Sequence, residues 1–436
     1  MVSDSDYREI LLKSGGFLLF RILGLGIAYY YSYYIIKQYN ESVYGLVALA
    51  LTVFSILVVI GKFGFDIHLT KMFSAWGIRF KTRRVYLQSA LFSLLASGLL
   101  CSILYTLSPW LAERVFNKAH LNPYLQWTFL SIPIWSLVLV NAGVLRGLKM
   151  NGTFSLLNFF TRFALALLFL ILALQWGLKE GFYILKAHFY AVLSVAIIST
   201  VLVLARVPKE RFLGGVLNIQ WQYFKDSWPI ARSTYYFVLL LWTDKLVLGV
   251  YETEANIGMY DIALKIALMI SFIYEALNSI MAPKIAHSYQ KKDWPTLEKN
   301  LKFSVRLTFF AALGAFLVVI LIHKYVLAIL SPEYLSASIL IWILGMGKLI
   351  SSLFGPVSDV LQMTGHQLLY SRITFGLLLV NIVLNILLVQ QFGVLGAAIA
   401  TTVTWVLMFV VCYIVIKRRL GFNTLIFAKN VISSNS

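Results

Sequence analysis

The chain has 436 residues, of which 60% are hydrophobic and 13% charged, and its formal net charge is +19. A soluble globular protein is about 45–50% apolar and about 25% charged, so this composition predicts an integral membrane protein. Long apolar runs exclude an outer-membrane barrel, whose strands alternate over about ten residues. The excess of Lys and Arg comes without a nucleic-acid-binding motif and is interpreted as charge bias between the two sides of a membrane, so no nucleic-acid partner is expected.

Windows of about 19 residues predict twelve membrane-spanning helices. In chain order they cover 14–37, 43–62, 87–108, 124–143, 154–177, 187–205, 228–250, 256–281, 303–323, 337–361, 373–391 and 394–416. Asp4, Asp6 and Glu9 stand where a cleavable signal peptide would carry basic residues, so the first span is expected to act as the insertion signal.

The loops between the spans differ in charge. One set holds about 23 Lys and Arg residues and the other about six, and the richer set faces the cytoplasm under the positive-inside rule. With an even number of spans, both termini are then expected in the cytoplasm. The two cysteines, Cys101 and Cys412, lie in apolar runs, so no disulfide framework is expected.

The two halves of the sequence show weak internal similarity. A shift of about 213 residues aligns YNESVYGLVALALTV, which begins at Tyr39, with ETEANIGMYDIALKI, which begins at Glu252. This shift corresponds to six helices and predicts two lobes in the same orientation, 1–219 with the linker and 220–436. Paired bundles of this kind enclose a central cavity that opens alternately to each side.

Several predicted spans carry charged side chains. One charge at the bilayer centre costs about 2.5–3.5 kcal/mol on insertion scales, so these side chains are expected to face protein or water. The cations are Arg21, Arg162, Arg232, Lys245, Lys265 and Lys348, and the acids are Asp244, Asp261 and Glu275. An excess of cations favours an anionic substrate, because guanidinium groups match phosphate oxygens. The alternative is structural: Asp261 and Lys265, one helical turn apart, pair only to lock helices together.

Motifs for enzymatic chemistry are absent from the sequence. There is no Walker A motif, and the six histidines have no metal-ligand spacing. A membrane glycosyltransferase or polymerase is the leading enzymatic alternative, but such enzymes usually need a large domain outside the membrane. The glycines of GGFLLFRILGLG, which begins at Gly15, are interpreted as sites of close helix packing.

Four stretches resemble a known family. WTDKLVLGVYETEANIGMYDIALKI, which begins at Trp242, resembles the seventh-to-eighth helix signature of bacterial polysaccharide flippases. MAPKIAHSYQKKDWPTLEKNLKFSVR resembles their following cytoplasmic loop, and VLQMTGHQLLYSR with LNILLVQQFGVLGAAIATTVTW resembles their tenth-to-twelfth helices. These are the O-antigen and capsule-type members of the multidrug/oligosaccharidyl-lipid/polysaccharide exporter superfamily.

The resemblance implies an all-α, twelve-helix, two-lobed transporter of the bacterial inner membrane. Its substrate would be an undecaprenyl-diphosphate-linked oligosaccharide, flipped to the periplasmic leaflet by alternating access and coupled to a gradient of H⁺, Na⁺ or Cl⁻. The expected partners are membrane lipids, a polysaccharide polymerase and a chain-length regulator.

The resemblance also matches charged residues of this chain to positions in the family's pattern. The family's first-helix basic residue matches Arg21, and its Asp-basic pair matches Asp244 and Lys245. Tyr31 occupies the repeat position of Asp244, so equal roles for the two lobes are not expected. Two rival functions are a cation-coupled drug antiporter of the same superfamily and a non-transporting component of a glycan-assembly complex.

Overall fold

A computed structural model describes residues 4–76, 78, 80–207 and 221–426 of the chain, and the described part is helical. Fourteen α-helices lie within these residues: α1 Asp4–Gln38, α2 Glu41–Lys62, α3 Phe65–Trp76, α4 Phe80–Trp110, α5 Asn122–Gly147, α6 Asn151–Ser155, α7 Arg162–Gln175, α8 Tyr183–Leu204, α9 Trp221–Tyr251, α10 Glu254–Gln290, α11 Trp294–Leu330, α12 Ser338–Ser352, α13 Val357–Met363 and α14 Gln367–Leu420. Two π-helical segments, Leu111–Val115 and Leu156–Thr161, and two 3₁₀ turns, Ala119–Leu121 and Pro332–Ala337, lie between them.

The helices have the length and hydropathy of membrane spans. Eight helical segments of the described chain are long and apolar enough to cross a bilayer. Helices α1, α9 and α10 do not belong to that set, although at 35, 31 and 37 residues they exceed the roughly 20 residues that a span needs. The expectation of an all-α membrane protein is confirmed, whereas the total of twelve spans stays a prediction.

Helix α14 is a hairpin that turns at Gly393. This residue has φ 58° and ψ −135°, a conformation essentially restricted to glycine. The Asn381 Nδ2 group donates a hydrogen bond of 3.1 Å to Thr404 Oγ1, although the two residues are 23 positions apart and would lie about 35 Å apart along a straight helix. The arms 367–392 and 394–420 therefore run antiparallel, in agreement with the separate predicted spans 373–391 and 394–416.

Two features of the helices were predicted wrongly. The predicted span 337–361 is interrupted between α12 and α13, because Gly355 adopts a left-handed φ of 69° and Pro356 follows it. Helix α3 was missed, because its charged and polar residues keep its hydropathy below that of a span. Helix α2 ends at Lys62 with Phe63 as its C-cap, and the left-handed φ values of Phe63 (49°) and Gly64 (74°) separate it from α3.

The chain divides into two compact units, Met1–Val238 and Leu239–Ser436. The division falls inside α9, whereas the sequence predicted a boundary between 219 and 220. The first turns of α9 pack within unit 1: the rings of Phe63 and Trp228 stack with centroids 5.5 Å apart, and the Tyr235 hydroxyl donates to the Ile60 carbonyl at 3.2 Å. The assignment of six spans to each lobe stays a prediction.

Helix α5 forms the core of unit 1 and packs against α2, α3, α4 and α8. Its Asn141 side chain is fully buried. Asn141 accepts a hydrogen bond of 2.8 Å from the Tyr86 hydroxyl and donates bonds of 3.0 and 2.9 Å to the Ser199 and Thr200 hydroxyls. This amide therefore connects α4, α5 and α8 with its hydrogen-bonding capacity nearly satisfied.

Helix α1 also belongs to unit 1 and packs against the π-helical segment Leu156–Thr161. A Cβ atom on Gly24 would lie 2.6 Å from the Cβ atom of Phe159, so only glycine permits this approach. The prediction that the early glycines allow close packing is confirmed at Gly24. It is wrong at Gly26, where a Cβ atom would have no neighbour within 4 Å among the described residues.

In unit 2, α10 packs against α11 and α12, while α12 and α13 pack against α14. Thr253 caps the N-terminus of α10, and its hydroxyl accepts from the Asn256 amide. Asn40 caps the N-terminus of α2 of unit 1, and its side chain accepts from the Val43 amide. These two N-caps lie 213 positions apart, which is the shift found in the sequence. Asp293 caps the N-terminus of α11, and hydrogen bonds from Thr296 lower its pKa.

Candidate functional site

The first polar centre lies in unit 1 around Arg162, the first residue of α7. The guanidinium carbon lies 4.9 Å from the ring centroid of Phe54, 4.7 Å from that of Trp135 and 5.0 Å from that of Phe163. Phe54 and Trp135 are buried. Aromatic faces attract cations, and this attraction is strongest where water is excluded. The three rings therefore hold the guanidinium group in place.

His188 of α8 completes this group, which we call the Arg162 centre (Phe54, Trp135, Arg162, Phe163 and His188). The Arg162 Nε–H donates a hydrogen bond of 2.9 Å to His188 Nε2. An acceptor nitrogen carries a lone pair, so His188 is neutral in this arrangement, with its proton on Nδ1. Its ring stands perpendicular to that of Phe54, with the two ring centroids 5.3 Å apart.

Within the described residues, the charge of Arg162 is not balanced by a carboxylate. No Asp or Glu of that part of the chain forms a salt bridge with it. The guanidinium group has five N–H donors, and the bond to His188 uses one of them. The described part of unit 1 thus presents a partly buried cation whose terminal amino groups can receive an anion.

The second polar centre lies in unit 2 around Asp261 of α10. One carboxylate oxygen lies 2.5 Å from Lys245 Nζ of α9, and the other lies 2.8 Å from Lys265 Nζ, one turn further along α10. The Lys245 and Asp261 side chains are 4% and 3% exposed, whereas that of Lys265 is 35% exposed. Lys265 can therefore face a ligand directly, while Lys245 is enclosed.

Asp244 lies beside this pair and is also buried. The Tyr260 hydroxyl donates a hydrogen bond of 2.6 Å to one carboxylate oxygen, and the Thr401 hydroxyl lies 3.2 Å from the same oxygen. The Lys245 amide donates to the other oxygen at 2.7 Å. We call Asp244, Lys245, Tyr260, Asp261 and Lys265 the Asp261 centre.

The two centres differ in charge. In the Asp261 centre, two lysines face two aspartates, so the ionised side chains balance. In the Arg162 centre, the single cation has a neutral imidazole as its polar partner. A ligand anion gains more from an uncompensated cation than from a balanced group, because the balanced group already neutralises itself.

The other predicted site residues are dispersed. Arg21 of α1 lies with its guanidinium carbon 5.8 Å from the ring of Phe159, in the π-helical segment before Arg162. Arg232 is exposed on α9, and Lys348 of α12 is buried, with Nζ 3.4 Å from the ring centroid of Trp405. The side chain of Glu275 lies outside the described residues. The structure thus joins Lys245, Lys265, Asp244 and Asp261 in one group and surrounds Arg162 with aromatic rings.

Sequence reasoning missed the roles of His188 and Tyr260 in these centres, and that of Thr401, which donates to Asp244. His188 is not spaced from other residues as a metal ligand would be, and its partner Arg162 is 26 positions away. Tyr260 immediately precedes Asp261 and is 16 positions from Asp244, so its bond depends on how α10 packs on α9. A histidine within an otherwise apolar span is the one signal that pointed to such a role.

The sequence of the chain matches a known family. The model of the family described as "Polysaccharide biosynthesis protein" matches residues 10–288, which is more than half of the chain. A curated relative, the probable low-salt glycan biosynthesis flippase Agl15 of Haloferax volcanii, is 23% identical over 203 residues. That match covers 44% of this chain and 43% of the relative, so less than half of the relative's length is represented.

Solved structures share the fold over nearly the whole chain. An inward-facing multidrug resistance MATE family transporter of the MOP superfamily has a TM-score of 0.71 at 14% identity, with 92% of this chain and 94% of that one covered. The lipid II flippase MurJ, in an inward closed conformation, has a TM-score of 0.70 at 14% identity, with 93% and 87% covered. At these identities the likeness shows a common fold. The chain is thus a multi-pass membrane protein with the fold of these transporters.

Proposed function

Because the chain belongs to the polysaccharide biosynthesis protein family, we propose that it is a flippase for lipid-linked oligosaccharides. In the specific form of this proposal, the substrate is an undecaprenyl-diphosphate-linked repeat unit of O-antigen or a related surface polysaccharide. The protein moves the diphosphate and sugars from the cytoplasmic to the periplasmic leaflet by alternating access, while the lipid tail stays in the bilayer. This is transport and not an enzymatic conversion.

Within the described part of the chain, no carboxylate compensates the charge of Arg162, and this observation carries the proposal. A diphosphate needs cationic donors in a site from which water is largely excluded, and guanidinium groups supply two parallel N–H bonds to one phosphate. The terminal amino groups of Arg162 have this geometry. Lys265, partly exposed in unit 2, and the predicted cations Arg21, Arg232 and Lys348 are assigned supporting roles in diphosphate binding, and Lys245 acts through Asp261.

The acids of unit 2 are assigned to ion coupling. Asp244, Asp261 and Glu275 either hold the neighbouring cations or bind the coupling H⁺ or Na⁺, and Cl⁻ is the alternative ion. The carboxamide oxygens of Asn381 and Asn385 are assigned a supporting role in binding such a cation. Both are buried without a hydrogen-bond partner among the described residues, on the arm of α14 that packs against the arm carrying Thr401. Oxygen atoms of this kind are the ligands that hard cations prefer.

The proposed location is the bacterial inner membrane, with twelve spans and both termini in the cytoplasm. Counting the two arms of α14 separately, and the segment 151–175 as one span, gives twelve long helices in the described chain. A polysaccharide polymerase and a chain-length regulator are the proposed protein partners, since the flipped repeat unit has to be assembled on the far side of the membrane.

A cation-coupled drug antiporter is the second candidate, and the shared fold with a multidrug transporter favours it. An antiporter for organic cations needs acidic or apolar groups in its cavity, whereas the Arg162 centre would repel such a substrate. A non-transporting component of a glycan-assembly complex would tolerate substitution of Arg162. Both rivals therefore differ from the flippase in their response to the same mutation.

The test is reconstitution into liposomes with a fluorescent undecaprenyl-diphosphate-oligosaccharide, followed by measurement of its accessibility in each leaflet. The Arg162→Gln variant keeps a hydrogen-bonding side chain at this position while removing its charge. Protein-dependent movement that the variant loses supports the proposal. No movement under proton, sodium or chloride gradients would contradict it, and uptake of an organic cation instead would favour the antiporter.

A further inference from the structure

The bond between Arg162 and His188 sets a condition on both side chains. Arg162 Nε always carries a hydrogen, so the bond of 2.9 Å exists only while His188 Nε2 has a lone pair to accept it. If His188 gains a proton at Nε2, the acceptor is lost and two cations lie side by side. An anion between them would then be held by donors from both groups.

Among the described residues around His188, no negative charge could take this place. Helix α7 presents Arg162 to it, the Phe54 ring of α2 stands perpendicular to its ring, and Trp135 of α5 lies against the Arg162 guanidinium group. The π-helical segment 156–161 contains no titratable residue. Helix α1 contributes Tyr31, whose hydroxyl donates to the Ile184 carbonyl of α8. His188 itself is 1% exposed. Within this part of the chain, an imidazolium here would therefore need a ligand as its counter-ion.

We propose that Arg162 and His188 form a single site that binds a phosphate group together with one proton. The proton from solution takes the lone pair of His188 Nε2, the Arg162–His188 bond opens, and Arg162 Nε–H and His188 Nε2–H both donate to phosphate oxygens. His188 is thus a positioning residue in the empty site and a ligand-binding residue in the loaded one. The inference rests on the proposed function only in taking the ligand as phosphate.

Linkage gives this site a measurable property. If binding of the anion and binding of the proton favour each other, each must strengthen the other by the same factor. A linkage of one proton raises the affinity for the anion by up to about tenfold for each unit by which the pH falls, until His188 is protonated in the unliganded site as well. Release of the phosphate would then return the proton to the side on which release occurs.

The experiment uses the full chain in nanodiscs with geranyl diphosphate as the probe. Isothermal titration calorimetry in two buffers of different ionisation enthalpy gives the protons taken up per bound probe, and titrations between pH 6 and pH 8 give the affinity. His188→Gln is the central variant, because its amide oxygen can accept from Arg162 but its side chain cannot gain charge. The proton uptake that remains in this variant measures the protonation of the probe itself.

His323→Gln is the matched control. His323 is another buried histidine, its Nε2 lies 2.6 Å from the Ser338 hydroxyl, and it belongs to unit 2. We expect the wild-type protein and His323→Gln to take up about one proton more per probe than His188→Gln does, with a correspondingly steeper pH dependence of affinity. His188→Asn, a second neutral variant, replaces His188→Gln if that protein melts below the wild type.

Equal proton uptake in the wild-type protein and the histidine-188 variants would overturn the inference, as would absence of probe binding to the wild type. The proposed function fails separately. A protein that binds the probe with His188-linked proton uptake but does not move the lipid-linked oligosaccharide in liposomes would keep this site and lose the flippase assignment. A protein that moves the substrate with unchanged pH dependence in His188→Gln would keep the flippase and lose the site.

Discussion

An ion pair joins α9 to α10: Lys245 Nζ lies 2.5 Å from Asp261 Oδ1, and both side chains are almost fully buried. Lys265 contacts the second oxygen of the same carboxylate, so Asp261 is shared between two cations. A charge that is buried with its partner becomes costly when the partner is removed, since water cannot replace the lost contact. The stability of unit 2 therefore depends on keeping this group complete.

The Lys245→Met substitution is expected to lower the free energy of unfolding by about 3 kcal/mol, the lower end for a broken buried pair because Lys265 remains beside Asp261. Thermal unfolding in detergent measures the effect. Lys302→Met serves as the control, because Lys302 pairs with Glu298 in a partly exposed position where about 0.5 kcal/mol or less is expected. Equal losses in the two variants would contradict the importance of burial.

Gly393→Ala is expected to destabilise the α14 hairpin. A residue with a side chain is strained at φ 58° and ψ −135° by about 1–3 kcal/mol, and its Cβ atom would lie 2.5 Å from Glu252 Oε1. Gly376→Ala in the first arm is the matched comparison, because no described atom lies within 4 Å of its Cβ position and alanine favours helix. The prediction is wrong if the two variants unfold at the same temperature.

Asn141→Leu is expected to lower the free energy of unfolding by about 1–3 kcal/mol, because it removes the buried group that pairs with the Tyr86, Ser199 and Thr200 hydroxyls. Tyr86→Phe removes only one of these bonds and is expected to cost less. Fluorescence-detected thermal unfolding of both variants gives the comparison. A larger loss in Tyr86→Phe would show that Asn141 is not the centre of this network.

Replacing Arg21 or Lys265 with Ala is expected to abolish flipping without reducing membrane insertion, because each removes a cation assigned to the diphosphate. The liposome assay measures flipping, and the amount of protein in washed membranes measures insertion. Lys302→Ala removes a cation from unit 2 that is paired with Glu298, and it should retain transport. Unchanged flipping at normal expression would remove Arg21 or Lys265 from the proposed site.

The helical class and much of the span pattern followed from the sequence, because a run of about 20 apolar residues has few other stable forms. The break at Gly355 was missed, since hydropathy windows average over a single residue with a left-handed φ. Helix α3 was missed for the opposite reason: its polar residues mask a helix that hydropathy alone cannot detect.

The sequence could predict the Asp261–Lys265 contact because residues four positions apart share a helix face. It could not predict that Lys245 shares the same carboxylate or that Arg162 meets His188. Those contacts join separate helices, and their geometry depends on how the helices rotate and pack against each other. The sequence therefore could not predict that the partner of Arg162 is a neutral histidine. It also could not predict the contrast in charge between the two centres.

The π-helical segment Leu156–Thr161 ends at the residue before Arg162. A π turn contains one more residue than an α turn, and one residue corresponds to about 100° of rotation around the helix. A chain that lacked one residue of this segment would close into regular α-helix, and Arg162 would rotate away from Phe54, Trp135 and His188. The number of residues in this segment therefore determines the direction in which the guanidinium group points. Deletion of a single residue from the segment would disrupt the Arg162 centre, although every side chain of the centre would be retained.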